Sequence, residues 1–173
     1  MRSVRRARRW TGAGLFVALL WVSAAQEARA QDPDFLTIQA GIADIFHDDE
    51  TPAFAMEYRS DLEFWHLRPF VGVAGGADGF IHGYGGILLD VFFGRRVVLT
   101  LSFAPGLYKD GDKDLGNTVE FRSAGEVAYR FDNRARLGVM INHISNASLG
   151  DRNPGTELVM LSYSHPLSGL FGD

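Results

Sequence analysis

Strict alternation of apolar and polar residues over Thr118–Phe131 is the feature that most constrains how this chain folds. The odd positions form a mostly apolar face, which includes Val119, Phe121, Val127, Tyr129 and Phe131. The even positions carry four charges, at Glu120, Arg122, Glu126 and Arg130. Because successive side chains of a strand point to opposite faces, this period of two predicts a β-strand with one polar and one apolar side. Such a strand cannot be buried on both faces.

The same period recurs along the chain and predicts eight strands. They lie near 35–46, 52–60, 67–76, 80–93, 97–108, 118–131, 135–146 and 157–167. Most of them reach the roughly 9–11 residues that a tilted strand needs to cross a bilayer. An even number of antiparallel strands can close into a barrel, which leaves no unpaired edge in lipid.

The predicted connections alternate in length. The set on one side comprises 61–66, 94–96 and 132–134, of which the last two are tight turns. The opposite set comprises 47–51, a glycine-rich bend near 75–79, 109–117 and 147–156. Tight periplasmic turns and longer extracellular loops are typical of outer-membrane barrels.

The first thirty residues have the pattern of a secretory signal peptide. Five arginines lie within residues 2–9, an uncharged stretch with an apolar centre at 15–22 follows, and Ala28-Arg29-Ala30 forms a small-x-small cleavage site. The alternative is a membrane anchor, but the apolar centre is shorter than the roughly 20 residues of a spanning helix. We therefore predict a signal peptide over 1–30 and a mature barrel domain over 31–173.

Removal of this segment changes the charge of the protein. Six of the 17 basic residues and one of the 21 acidic residues lie within it, so the mature 143 residues carry 11 basic and 20 acidic side chains, a net charge of −9. A basic surface for nucleic acid is therefore not expected. The chain has no cysteine, which excludes disulfides, thiolate metal sites and a cysteine nucleophile.

These patterns predict an all-β protein, an eight-stranded antiparallel transmembrane β-barrel of the outer-membrane type. A secreted β-sandwich or a soluble barrel also alternates, but turns its apolar residues inward. Two observations favour the membrane barrel: the charges of Thr118–Phe131 could pair inside a narrow lumen, and the 13 phenylalanines suit a lipid-facing band.

Three polar residues converge at the last predicted hairpin. His143 and Ser145 are two residues apart and therefore share a face, which continues through the apolar Ile141 and Val139. Glu157 opens the next strand, where it lies opposite or diagonal to His143 in an antiparallel pair. Serine, histidine and a carboxylate are the components of a nucleophilic triad. A polar rim at the membrane interface is the plainer explanation, but unpaired polar groups on an apolar face are costly.

The stretch His143-x-Ser145-Asn146-Ala147, followed by Asn153-Pro154-Gly155 and Glu157, resembles the lipid A 3-O-deacylases of the outer membrane, the PagL type. The spacing of histidine, serine and glutamate matches that family without a gap. The resemblance is sharp over 139–163, and elsewhere it depends on architecture, length and the signal peptide.

The resemblance implies a serine esterase that removes the 3-hydroxyacyl chain from position 3 of lipid A. It assigns Ser145 as the nucleophile, His143 as the general base and Glu157 as the orienting carboxylate. Asn146 is the expected oxyanion contributor, with a backbone N–H near Ala147 or Ser148 as its partner. The implied location is the outer membrane of a Gram-negative bacterium, with lipopolysaccharide as the substrate.

No cofactor or metal is expected, since the acidic run that begins at Asp110 has Leu115 instead of glycine at the sixth position of a calcium loop and Phe121 instead of glutamate at the twelfth. A homodimer through lipid-facing strands is compatible with the sequence. Two further hypotheses stay open: a non-enzymatic structural or adhesion barrel, and a soluble periplasmic lipid-binding barrel.

Overall fold

The computed structural model describes residues 32–46 and 50–167, and the predicted signal peptide lies outside them. The described chain forms eight strands: β1 Phe35–Ala43, β2 Thr51–Arg59, β3 Arg68–Gly76, β4 Ile81–Phe93, β5 Val97–Lys109, β6 Val119–Arg130, β7 Arg136–Ser145 and β8 Thr156–Pro166. Within this part of the chain, no helix is long and apolar enough to cross a membrane.

The strands form one closed antiparallel barrel in sequence order, in which β1 pairs with both β2 and β8. The predicted fold and all eight predicted strands are confirmed, with boundaries that shift by three residues at most. The largest shift is at β1, which ends at Ala43 because Asp44 leaves the extended conformation with a φ of 61°. The tight turns at 94–96 and 131–135 lie at the opposite end from the long loops at 110–118 and 146–155, as predicted. The β2–β3 connection at 60–67, however, is longer than the other turns at its end.

The apolar face of each strand points outward. Leu101, Val127 and Leu161 are 47%, 56% and 63% exposed, whereas polar Thr100 and Glu126 on the opposite faces are buried. An exposed apolar band around a polar interior is the arrangement of a transmembrane barrel. The soluble barrel with its apolar face turned inward is therefore wrong for the described strands.

Ion pairs fill the middle of the lumen. The guanidinium of Arg59 lies 2.7 Å from Glu126 and 2.9 Å from Glu57, and Arg122 lies 3.0 Å from Glu57. Tyr84 also donates a hydrogen bond of 2.9 Å to Glu57. Two of the four charges of β6, Arg122 and Glu126, thus do pair inside the barrel, but with partners on β2 rather than with one another. Because these side chains are almost fully buried, each charge depends on its partner for compensation.

The longer loops are tied together over one end of the barrel. Leu115 from the β5–β6 loop is fully buried among Phe80, Ile144 and Leu158. Ion pairs between Lys113 and Asp44 and between Arg152 and Asp114 connect neighbouring loops. The end of β7 and the start of β8 therefore meet an ordered loop layer.

Candidate active site

His143 and Glu157 form a pair on the outer wall of the barrel. They are direct partners in the register of β7 and β8. The Nδ1 atom of His143 lies 3.0 Å from Oε1 of Glu157, a hydrogen-bonding distance. Both side chains remain accessible, at 47% and 27% exposure. The contact inferred from the spacing in the sequence is therefore present in the structure.

Ser145 is the last residue of β7 and lies two positions beyond His143 on the same face. It is partly exposed and lies opposite Phe121 of β6. Among the described residues, no hydrogen bond joins its hydroxyl to the imidazole. With Nδ1 directed at Glu157, the Nε2 atom of His143 is left to face a reacting hydroxyl.

Gly155 connects the two halves of this site, and the sequence pattern alone gave it no role. A Cβ at this position would lie 3.1 Å from Cε1 of His143 and 3.7 Å from Cβ of Ser145. The histidine and the serine therefore both lie against the same small residue. Gly155 also has a φ of +65°, which favours glycine. Its position directly after Pro154 was the available sign of a tight turn.

A second serine also lies next to His143. Ser123 of β6 is its direct partner in the register between β6 and β7 and is exposed on the same wall. Side chains opposite one another in an antiparallel pair have Cβ atoms roughly 4.5–5.5 Å apart. The sequence reasoning missed this residue because Ser123 lies outside the motif around His143, although the register of the β6–β7 hairpin could have located it.

Asn146 is fully buried and holds the β7–β8 loop in place. Its Nδ2 donates 2.9 Å hydrogen bonds to the carbonyls of Leu115 and Arg152. Its Oδ1 accepts a hydrogen bond from the backbone N–H of Ser148 at 2.9 Å, and its own N–H donates to Asn153. To bind an oxyanion, the side chain would have to exchange one of its carbonyl partners.

The backbone directly after Asn146 is strained. Ala147 and Ser148 have φ angles of 52° and 64°, in the left-handed region. This conformation costs an L-residue roughly 1–2 kcal/mol, and such strain persists where surrounding contacts impose it. Within the described chain, the N–H of Ala147 donates no hydrogen bond. The turn therefore presents an unused donor two residues after Ser145.

The site interrupts an otherwise apolar surface. Val139 and Ile141 precede His143 on the same face of β7 and are 52% and 55% exposed. Polar groups that face lipid are rare and usually functional, because lipid offers them no hydrogen bonds. No group of three or more His, Asp or Glu side chains in the described ranges is arranged to bind a metal ion.

The fold and the site define a class: small transmembrane-type β-barrels that carry a histidine, a serine and a glutamate side by side on their outer wall. The family model described as lipid A 3-O-deacylase (PagL) matches residues 65–166, more than half of the chain. The chain therefore belongs to the lipid A 3-O-deacylase (PagL) family of hydrolases, and the family predicted from the sequence is confirmed. No curated protein matches the chain significantly.

Two solved structures show the same fold. The crystal structure of the outer membrane enzyme PagL has 19% sequence identity and a TM-score of 0.62, covering 77% of this chain and 99% of that chain. A de novo designed transmembrane β-barrel has 14% identity and a TM-score of 0.52, covering 78% of this chain and 98% of that one. The family and the barrel agree with the predicted location in the outer membrane. The roles of His143, Ser145, Glu157 and Asn146 stay predictions.

Proposed function

We propose that this protein carries out the deacylation of its family with a serine nucleophile on the outer wall of the barrel. The observation that supports this most is the 3.0 Å contact between His143 and Glu157 beside Ser145 on a lipid-facing surface. The substrate is lipid A, and the bond cleaved is the ester of the 3-hydroxyacyl chain at position 3.

The chemistry follows from the order of the three side chains. Glu157 accepts a hydrogen bond from Nδ1–H of His143 and so leaves Nε2 as the base. Nε2 takes the proton of Ser145 as its Oγ attacks the ester carbonyl. The tetrahedral intermediate then expels the sugar hydroxyl, which receives this proton, and an acyl-serine remains. A water molecule, deprotonated by the same imidazole, attacks the acyl-serine. The Oγ of Ser145 then leaves and takes that proton back from Nε2, which releases the fatty acid and restores the serine.

The negative oxygen of the tetrahedral intermediate needs hydrogen-bond donors. The backbone N–H of Ala147 is one candidate, because it is unused in the described structure. Asn146 is the other, provided that its side chain gives up one of the carbonyls it now binds. A single well-placed donor supplies on the order of 3 kcal/mol of transition-state stabilisation.

The outward position of the site suits a substrate held in a membrane. The acyl chains of lipid A lie within the bilayer, where a site in the lumen could not reach them. We place the loop end of the barrel outside the cell, in the outer membrane, after export and removal of residues 1–30. One chain supplies all three side chains, so a homodimer through the lipid-facing wall would add no residue to the triad.

The presence of two serines beside His143 determines the best test. Purified lipopolysaccharide is incubated with the protein, with Ser145→Ala or with Ser123→Ala, and the lipid A is analysed by mass spectrometry. We expect wild type and Ser123→Ala to remove one 3-hydroxyacyl chain, and Ser145→Ala to remove none while folding normally.

The opposite outcomes would reject separate parts of the proposal. Deacylation by Ser145→Ala together with its loss in Ser123→Ala would make Ser123 the nucleophile. Activity in both variants would exclude a serine mechanism at this site. A well-folded wild type that leaves lipid A intact would favour the structural or adhesion barrel.

A further inference from the structure

The connection between β2 and β3 differs from the other tight turns at its end of the barrel. Residues 60–67 form this connection, compared with 94–96 and 131–135 for the other two. Its tip carries Leu62, Phe64 and Trp65, which are 69%, 74% and 84% exposed. Clustered apolar side chains at this exposure indicate a surface that contacts something other than water.

The backbone holds this tip in a defined shape. Phe64 and Leu67 exchange two backbone hydrogen bonds of 2.9 Å. Trp65 and His66 between them have φ angles of 49° and 69°, which are the signs of a type I′ hairpin turn. That turn favours asparagine and glycine, so two bulky residues carry roughly 1–2 kcal/mol of strain each. Trp65 is therefore presented by a closed, hydrogen-bonded turn.

The tip has one polar and one apolar side. Glu63 and His66 are 2.8 Å apart and line the mouth of the lumen together with Arg68 and Asp90. On the other side, the rings of Phe64 and Trp65 stack with their centroids 5.7 Å apart and their planes within 5°. The two sides of the turn therefore differ in polarity.

The apolar side is continuous with the lipid-facing wall. The turn joins the ends of β2 and β3, where the paired residues Tyr58 and Val71 point outward and are 41% and 56% exposed. Indole and phenol rings favour the boundary between headgroups and acyl chains. A protein partner would need no such continuity with the bilayer surface.

We propose that Leu62, Phe64 and Trp65 form a membrane anchor, which inserts into the headgroup–acyl boundary of the phospholipid leaflet on the periplasmic side. The inference goes beyond the catalytic proposal and depends on it only for the location in the outer membrane. Such an anchor fixes the depth of the barrel and hence the height of Ser145 near the opposite end.

The sequence supplies a direct probe, because Trp10 and Trp21 precede residue 31 and Trp65 is the single tryptophan after it. The processed protein is reconstituted into phosphatidylcholine vesicles with bromine either near the headgroup or near the bilayer centre. We expect blue-shifted emission that is quenched more strongly by the shallow bromine and protected from a water-soluble quencher. The variant Trp65→Phe gives the background signal.

Water-like emission that neither bromine quenches would overturn the anchor, because the tip would then protrude into the periplasm. Stronger quenching by the deep bromine would also overturn the assigned depth. Neither result involves catalysis, so a failure of the anchor is distinguishable from a failure of the deacylase mechanism.

Discussion

Paired polar side chains occur both inside the barrel and on its outer wall, but they serve different purposes in the two regions. Inside, Arg59 lies between Glu57 and Glu126, and all three are at most 3% exposed. Outside, His143 and Glu157 form a pair of 3.0 Å whose side chains are 47% and 27% exposed. The inner charges obey the alternation that builds the barrel, whereas the outer pair violates it. Violations of a local pattern without a structural benefit are characteristic of functional sites.

The largest difference between the two regions should appear when the outer histidine is removed. We expect His143→Ala to lower the deacylation rate by at least about 10³-fold, because the serine loses its base. The free energy of unfolding should change by less than about 0.5 kcal/mol, because the side chain is exposed. Fatty-acid release and urea unfolding in vesicles measure the two quantities. A large loss of stability with retained activity would reverse the comparison.

The inner cluster should show the opposite behaviour. We expect Arg59→Met to destabilise the barrel by about 3–5 kcal/mol, because it leaves Glu57 and Glu126 buried with too little positive charge nearby. The rate per folded molecule should stay within a few-fold of wild type. Urea unfolding followed by an assay of the folded fraction tests this. Lost activity in a variant of unchanged stability would show that the lumen takes part in the reaction.

A substitution at Gly155 should affect both stability and activity, because it changes the backbone and the active site together. We expect Gly155→Ala to cost about 1–2 kcal/mol of stability from its positive φ. Activity should fall about tenfold, since the new methyl group would lie 3.1 Å from the imidazole and displace it. Urea unfolding and fatty-acid release measure the two effects.

Gly79→Ala is the matched control for that substitution. Gly79 also has a positive φ, of 96°, but a Cβ at this position would have no atom within 4 Å. It should therefore share the loss of stability and keep full activity. Equal activity in the two variants would mean that Gly155 has no influence on the position of His143.

The period of two was sufficient to predict most of the fold. It located all eight strands and assigned Val127 and Leu101 to one face and Glu126 and Thr100 to the other. It also placed His143 opposite or diagonal to Glu157, because both residues lie within strands joined by a single loop, and the structure makes them direct partners. Local alternation and nearest-neighbour pairing carry this information directly.

Contacts that depend on closure of the barrel could not be predicted in this way. The pairing of Glu126 with Arg59 spans 67 residues and brings together strands that are not adjacent in the sheet. The hydrogen bond from Asn146 to the carbonyl of Leu115 depends on how two loops fold over each other. Neither contact has a spacing or motif in the sequence that specifies it.

The smallest expected effect, that of a substitution at Glu120, tests whether all buried carboxylates of the lumen act alike. Glu57 binds Arg59, Arg122 and the hydroxyl of Tyr84. Neither carboxylate oxygen of Glu120 has a hydrogen-bond partner within the described chain. The nearby amide of Asn146 donates to two carbonyls instead.

Neutral isosteres should therefore separate the two glutamates. Glu57→Gln removes the charge that compensates two arginines, and we expect a loss of about 1.5–3 kcal/mol of stability. Glu120→Gln replaces an uncompensated buried carboxylate by an amide, so stability at neutral pH should change by less than about 1 kcal/mol, towards greater stability. Urea unfolding of both variants in the same vesicles measures the difference. An equal loss of stability in both variants would mean that groups at the loop end of the lumen compensate the charge of Glu120 as fully as the arginines compensate that of Glu57. Only the outer wall would then hold polar groups without a structural role.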